Sequence, residues 1–425
     1  MTKKIVIIGA GPCGLFLAHT LRRRGAKYQI EIYDRRPDPR LISFENSRTF
    51  PLSLNTRGMT ALGIIPLLES VVREKSTLIK GSILHKENGK ALRVFRKNKL
   101  VTMDRTNLVM TLLNHLTKDS EKYPVNIHFN SECHEINFKK KNVTFCKGSD
   151  FFSVNYDMII GVDGARSRVR RVLQKKDYLI CEEKYISSDY KTLFLPSDSP
   201  LESHYIHGWN LPDTTSVLMV VTPHPELISG VIIFPRENSL LAKLTKADKL
   251  RQFLQEKLPD LNSLIPDSEI EAFLQRPIAS VLTIRCDKYH YGDSVLILGD
   301  AAHAVSPSLG LGCNSALEDV QIIDSLLDEY QDNWETVISE FTRRRKADAH
   351  ALLEICENPM PYQKSLFWEL MLRKFWAKII GRPFLYDMLS DTTVPYAEVL
   401  QLYKGWIEKV KNSNHEWLRD RKHNN

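Results

Sequence analysis

The sequence predicts an α/β fold: a parallel sheet laid down in separate pieces of chain, an inserted and mostly antiparallel sheet, and a helical C-terminal part. Three observations carry that prediction. Continuous apolar runs rich in β-branched residues recur three times, each leading into a glycine turn and a helix-like stretch: IVII at 5–8, MIIG at 158–161 and VLIL at 295–298. Such runs suit strands buried on both faces of a parallel sheet. Residues 180–280 change character, with stretches such as TTSVLMVVTP and ISGVIIFP set between proline, aspartate and glycine. That punctuation reads as antiparallel strands. From about residue 334 onward the pattern is helical and rich in aromatics, as in SLFWELMLRKFWAKII at 365–380.

Each element can be justified in chain order. After the first run, GAGPCG at 9–14 places Gly9, Gly11 and Gly14 in a G-x-G-x-x-G turn, residues 15–24 read as a helix, and Gly25 ends it. A second strand, YQIEIYD at 28–34, closes the βαβ unit and ends on Asp34. In that context Gly9 permits the tight turn, Gly11 lets a pyrophosphate approach the backbone, and Gly14 allows the helix to pack on the strand. The helix N-terminus offers N–H groups to phosphate, and an acid at Asp34 suits an unphosphorylated adenosine ribose, hence FAD or NAD. The bland alternative is a packing turn without a ligand.

Composition narrows the class. The chain has 425 residues, 43% of them hydrophobic and 26% charged, with a formal net charge of +8. That is long enough for two or three domains with a large core. The mild positive charge favours phosphate-bearing ligands or an anionic surface. No nucleic-acid motif is present, and the basic clusters at 22–25 and 343–346 read as solvated helix faces, so no nucleic-acid partner is expected. Seven scattered cysteines without a CxxC pair argue against a disulfide framework or a metal site and for a reducing, cytoplasmic location. Glycines interrupt the apolar N-terminal run, which reads as strand-turn-helix rather than as a signal peptide.

Two further segments, GVDGARSRVR at 161–170 and GDAAHAVSPSLGLGCN at 299–314, accompany the first motif. Together the three resemble the signature set of the single-component FAD-dependent aromatic hydroxylases, the para-hydroxybenzoate hydroxylase-like fold. The stretches IEIYDRRPDPR, LSLNTRGMTALG, MDRTNL and LYDMLSDTTVPYAEVL are similar to the kynurenine 3-monooxygenase-like branch of that family over nearly the whole chain. The resemblance implies a Rossmann-like FAD-binding domain with an inserted substrate domain and C-terminal helices. It assigns Gly9, Gly11, Gly14 and Asp34 to the adenosine and pyrophosphate, and Asp163 and Gly164 to FAD and the pyridine nucleotide. Gly299 and Asp300 fall to the ribityl chain, and Pro307, Gly310, Gly312 and Asn314 to the loop beside the flavin ring. Arg36, Arg57 and Arg105 are implied as FAD contacts and Tyr396 as a substrate contact. His303 is expected to pack rather than to react.

The implied activity is hydroxylation of a small aromatic ring with O2 and NADPH or NADH, through a flavin C4a-hydroperoxide. Pro307, Gly310 and Tyr396 are the residues nearest that chemistry. An FAD-dependent dehydrogenase or reductase without oxygen insertion, or a non-catalytic flavin-binding protein, are the alternatives. The expected division is 1–70, 98–178 and 281–340 for the FAD-binding domain, 71–97 and 179–280 for the substrate domain, and 341–425 for the helical region. Kynurenine hydroxylases place an arginine for the substrate carboxylate where this chain has Ser82, with Lys80 the nearest cation. A tyrosine expected further on is also missing, the local residues being Phe95 and Arg96. In the flavin loop Leu311 replaces a glutamine and Ala316 a glycine. The C-terminal aromatic segment is expected to cap the site and pack on the core, in preference to lying on a membrane.

Overall fold

The three buried runs pair with one another across long stretches of intervening chain. The structure, a computed structural model, describes residues 2–42, 49–86, 89–118, 123–211, 215–220, 227–237 and 239–423. Strand β1 (Lys3–Ile8) lies parallel between β2 (Tyr28–Tyr33) and β3 (Met158–Gly161), and β3 pairs in parallel with β4 (Val295–Ile297). Val125–His128 and the short antiparallel edge His290–Tyr291 complete a six-stranded sheet. Ile5, Val6, Ile7, Ile159, Ile160, Leu296 and Ile297 have no exposed surface. Burial on both faces is what their unbroken apolar character requires. The first helix, α1 (Pro12–Arg22), starts three residues earlier than the helical pattern suggests. Proline at its first position is preset for a helix and lacks the N–H that would be unpaired there.

The second sheet has eight strands, all antiparallel except where Tyr205–Asn210 meets Thr77–His85. One strand, Ala91–Asp104, runs across position 97/98, and Pro51–Leu54 pairs with its far end. Alternation assigns the two faces. Val217, Met219, Ile228, Ile232 and Phe234 pack on one side against Leu250, Leu254, Leu261, Ile270 and Phe273. Those partners come from helices Ala247–Lys257, Pro259–Asn262 and Asp267–Gln275, so the inserted segment is not strand alone. The opposite face, carrying Ile206, Leu218, Val231 and Ile233, borders a cavity.

A long helix (Trp334–Glu357) leads from the parallel sheet to three further helices, Lys364–Ile379, Leu385–Asp391 and Tyr396–His423. Their apolar cluster includes Val305 and Leu311, so the C-terminal helices pack directly on the loop that follows β4. Lys364–Ile379 departs from expectation. It buries only Leu366 and Leu370, while Trp368 and Trp376 are 68% and 60% exposed and Phe367, Leu372, Phe375 and Ile379 are exposed beside them. The flanking residues Met360, Tyr362, Tyr386 and Trp417 reach the cavity instead. Among the described residues no helix is long and apolar enough to cross a membrane.

Candidate active site

The parallel strands all end at one side of the sheet, and the glycine and aspartate motifs leave from those ends. This is where a doubly wound sheet binds its ligand. Gly9 follows β1 with φ +117°, and its N–H donates to Tyr33 O at 2.8 Å. A side chain at Gly14 would place its Cβ 2.0 Å from Gly9 O and 2.9 Å from Val162 Cγ2. Gly14 therefore lets α1 dock on the turn. Gly11 is different: a Cβ there would meet only Arg105 Nη2 at 3.6 Å, on the open side of the turn. No side chain caps α1, which leaves its first N–H groups to a ligand.

Asp34 sits between turn and cavity. Its Oδ2 accepts from Ala10 N at 2.7 Å and its Oδ1 from Arg36 N at 2.7 Å, so it also braces the glycine turn. Arg36 and Arg105 line the cavity with it. Asp163 and Gly164 follow β3; Asp163 Oδ2 accepts from Arg168 N at 2.5 Å, while its buried Oδ1 has no hydrogen-bond partner among the described residues. Burial raises the Asp163 carboxyl above the ordinary carboxylate range. Asp300, just after β4, lies in the cavity lining with its side chain open to the cavity. Desolvation by the protein around the cavity raises its carboxyl, and His303 and Arg105 oppose the shift.

The loop after Asp300 folds back as a short turn, Pro307–Leu309, and enters the helix Gly312–Glu329. Pro307, Gly310 and Gly312 line the cavity, and a Cβ on Gly312 would lie 3.9 Å from Asp300 Oδ1. Asn314 does not line it. Fully buried, its Nδ2 donates to Ser53 O at 2.8 Å and Gly310 O at 2.9 Å, and its Oδ1 accepts from Asn55 N at 2.9 Å. It ties the loop to the strand Pro51–Leu54. Gly299 is also behind the lining, its N–H donating to Asp319 Oδ2 at 2.8 Å.

Two further expected contacts stand away from the cavity lining. Arg57 is buried, bonded to Glu318 and to Val394 O, with its guanidinium 4.0 Å from the centre of the Tyr396 ring. Tyr396 is 0% exposed, its Oη without a hydrogen bond, and burial raises its phenol. Neither belongs to the lining. Lys80 also fails to line it: its side chain is exposed. Ser82 and Arg96 occupy that wall, because alternation along Ala91–Asp104 turns Val94, paired with Ser82, and Arg96 to one face. Arg96 has no hydrogen-bond or ion-pair partner among the described residues.

Sequence motifs missed a buried charge cluster behind the loop. Asp319 Oδ2 receives His303 Nε2 at 2.7 Å, and its Oδ1 receives Arg345 Nε at 2.7 Å. Arg345 also bonds Asp348 at 2.6 Å. Coulombic attraction from His303 and Arg345 holds the Asp319 carboxyl low against its burial. Removing one partner from such a cluster leaves an uncompensated charge and costs about 3–5 kcal/mol. His303 is thus a structural partner of Asp319, as expected. The only signal was the acid of the terminal ED in SALED.

One cavity of ≈ 2900 Å³ joins the glycine turn, Asp34, Asp163, Asp300, the Pro307–Gly312 loop and the apolar face of the eight-stranded sheet. Its length along the strand ends, with phosphate-ready N–H groups at one end and a glycine-lined loop at the other, fits FAD. The comparisons agree. A family model described as FAD binding domain matches residues 2–355. Kynurenine 3-monooxygenase of Legionella pneumophila (strain Corby) is 30% identical, over 96% of this chain and 93% of its own. That of Sus scrofa is 28% identical over 96% and 88%. In fold, the tetrameric form of 2-methyl-3-hydroxypyridine-5-carboxylic acid oxygenase superposes with a TM-score of 0.67 at 18% identity, over 84% of this chain and 90% of that one. Family match, relatives and cavity together place the chain in the FAD-binding-domain family, among the single-component aromatic hydroxylases, as an FAD-dependent monooxygenase of the kynurenine 3-monooxygenase-like group.

Proposed function

We propose that this monooxygenase uses NAD(P)H and O2 to hydroxylate a small aromatic ring carrying a carboxylate, of the kynurenine type. The observation that carries the reading is the single cavity whose one wall is the glycine loop and whose other wall is the apolar face of the inserted sheet. Bound FAD supplies electron transfer from the nicotinamide to O2 and activation of the oxygen. The chain supplies the rest. Gly9, Gly11, Asp34, Arg36 and Arg105 would hold the adenosine and pyrophosphate, with Gly14 shaping the turn behind them. Asp163, Gly164 and Asp300 would position the middle of the cofactor, with Gly299 fixing the turn that carries Asp300. Pro307, Gly310 and Gly312 form the floor beside the ring. N–H groups at the start of Gly312–Glu329 would stabilise negative charge on a cofactor bound beside them. Ile206, Leu218, Val231 and Ile233 cover the aromatic ring and exclude water. Asn314 acts from behind, through the loop it ties, and Arg57, stacked on Tyr396, through its bond to Glu318 on the helix that follows the loop. Arg96 meets the carboxylate in place of the missing arginine.

The test is NAD(P)H consumption by the FAD-loaded protein in air, with and without L-kynurenine, using isotopically heavy O2. Faster consumption with one heavy oxygen in the product is expected. A bound-flavin spectrum with no stimulation would remove kynurenine as substrate. Anaerobic turnover with an added electron acceptor, without oxygen in the product, would favour the dehydrogenase alternative.

The exposed Trp368–Trp376 face, flanked by Lys364, Lys374 and Lys378, supports a peripheral contact with an anionic lipid surface. Cosedimentation with phosphatidylserine vesicles, lost in Trp368→Ser/Trp376→Ser, is expected; no binding at low salt would remove that contact.

A further inference from the structure

After the earlier strands Pro51–Leu54, Thr77–His85 and Ala91–Asp104, the chain returns to the eight-stranded sheet along the strand Cys181–Pro196 and leaves it along Ala279–Cys286. These strands are antiparallel neighbours, and their register sets Cys181 directly opposite Cys286. Opposed residues in such a pair have Cα atoms about 4.5 or 5.5 Å apart, and both values lie within the span of a disulfide. The two sulfurs are 3.1 Å apart, and both thiols are free. The neck is already pinned around them. Asp287 N donates to Ile180 O at 2.9 Å, Ile180 N to Asp287 Oδ1 at 2.8 Å, and His350 Nε2 bonds Cys286 O at 2.9 Å.

We propose that Cys181 and Cys286 are a reversible oxidation site, at which hydrogen peroxide closes a disulfide that staples the first strand of the 181–286 segment to its last. The two thiols have unequal surroundings suited to unequal roles. Cys181 is half-buried and Cys286 fully buried. The Cys286 thiol donates to Cys181, and Arg170 lies beside the pair, itself bonded to Glu183 Oε1 at 2.7 Å and to Ala301 O at 3.0 Å. The donated hydrogen bond, with Arg170 assisting, favours the Cys181 thiolate; the same bond and burial hold the proton on Cys286. Cys181 is therefore the attacking thiol and Cys286 the resolving one.

The step balances. The Cys181 thiolate attacks one peroxide oxygen; an S–O bond forms, the O–O bond breaks, and the departing hydroxide takes a proton to leave as water. The Cys286 sulfur then attacks the Cys181 sulfur; the S–S bond forms, the S–O bond breaks, and the Cys286 proton leaves with the hydroxyl as a second water. Two thiols are oxidised by two electrons and peroxide is reduced by two. The crosslink encloses roughly a hundred residues, so it removes much freedom from the unfolded chain.

The experiment treats the full FAD-loaded chain with a small excess of hydrogen peroxide, then blocks remaining thiols under denaturing conditions. The expected result is a protein lighter by two hydrogen atoms, a non-reduced peptide map joining the Cys181 and Cys286 peptides, and a Tm higher by about 5 °C. Dithiothreitol should reverse all three. Cys181→Ser should show neither crosslink nor Tm rise, and in Cys286→Ser a sulfenic acid trapped on Cys181 should replace the crosslink. Because the buried Cys286 variant risks failing to fold, the half-buried Cys181→Ser variant carries the test alone if needed. Blocked Cys286 together with irreversibly oxidised Cys181, a crosslink to any other cysteine, or two thiols unchanged by peroxide would each overturn the proposal.

Discussion

The two large sheets meet the same cavity in opposite ways. The six-stranded sheet meets it end-on, through the turns after β1, β2, β3 and β4, where backbone N–H groups, glycines and the carboxylates Asp34, Asp163 and Asp300 are presented. The eight-stranded sheet meets it face-on, and its central strands do so through alternate side chains, among them Ile206, Leu218, Val220, Val231 and Ile233. End-on contact is made by backbone and tolerates almost no side chain at its closest points. Face-on contact is made by side chains and can be redrawn one residue at a time. In the proposed function the cofactor takes the first geometry and the choice of substrate the second.

The sharpest way to break that distinction is to put a methyl group into the turn. Gly14→Ala would set a Cβ 2.0 Å from Gly9 O, which is backbone and cannot swing away. The turn and α1 must separate, and FAD affinity should fall by more than about 100-fold, since overpacking of this kind displaces backbone. Ile233→Ala, on the face-on wall, removes far more volume yet should retain FAD. Flavin absorbance per protein after gel filtration reads both. Equal flavin content in the two variants would mean that the turn does not grip the cofactor.

Arg96 tests the face-on half. It is the cation on the wall beside Ser82, and it is without a partner among the described residues. Arg96→Gln should raise KM for L-kynurenine by about 10-fold, the loss of one charge-assisted contact of 1.5–3 kcal/mol. KM for the decarboxylated amine should hardly move, and flavin content should not change. Lys80→Gln should leave all three values alone. An equal KM change for both ligands would assign Arg96 to packing instead.

The same division explains what was legible in the sequence. Gly9, Gly11, Gly14, Asp34, Asp300 and Gly312 stand in short motifs because a turn at a strand end is built from consecutive residues. Their places at the strand ends follow from local sequence. The face-on wall assembles Ser82, Arg96, Ile206, Leu218 and Ile233 from strands far apart in the chain, and nothing local marks which parity faces the ligand. That is why Lys80, the nearest cation in sequence, stood in for Arg96. The helices at 247–275 were hidden for a related reason: their leucines complete a core whose other half lies on the back of the sheet. The Cys181–Cys286 pair likewise exists only through strand register, with some hundred residues between its members.

The smallest effect separates the halves by pH. His19, on α1 behind the glycine turn, is 2% exposed, and its Nε2 is 2.9 Å from Leu112 O. Burial lowers its pKa to about 4, with His115 and Arg22 adding to the shift and the Leu112 carbonyl opposing it. The unfolded chain, with an imidazole near 6.5, takes up the proton first as pH falls. The contribution of neutral His19 is therefore complete above about pH 6.5 and is lost progressively toward pH 4, by about 3 kcal/mol at most. His19→Gln keeps a neutral donor toward Leu112 O and removes that titration. Wild-type Tm should drop a few degrees more than that of His19→Gln between pH 7 and pH 5, and flavin release should track the drop, because α1 carries the turn proposed to hold the cofactor. His207, buried in the inserted sheet and also lowered by burial, gives the counterpart: His207→Gln should shift the acid limb of unfolding without moving the flavin release. Identical acid slopes in wild type and His19→Gln would place the acid sensitivity elsewhere, and the end-on grip on FAD would then be independent of the helix behind it.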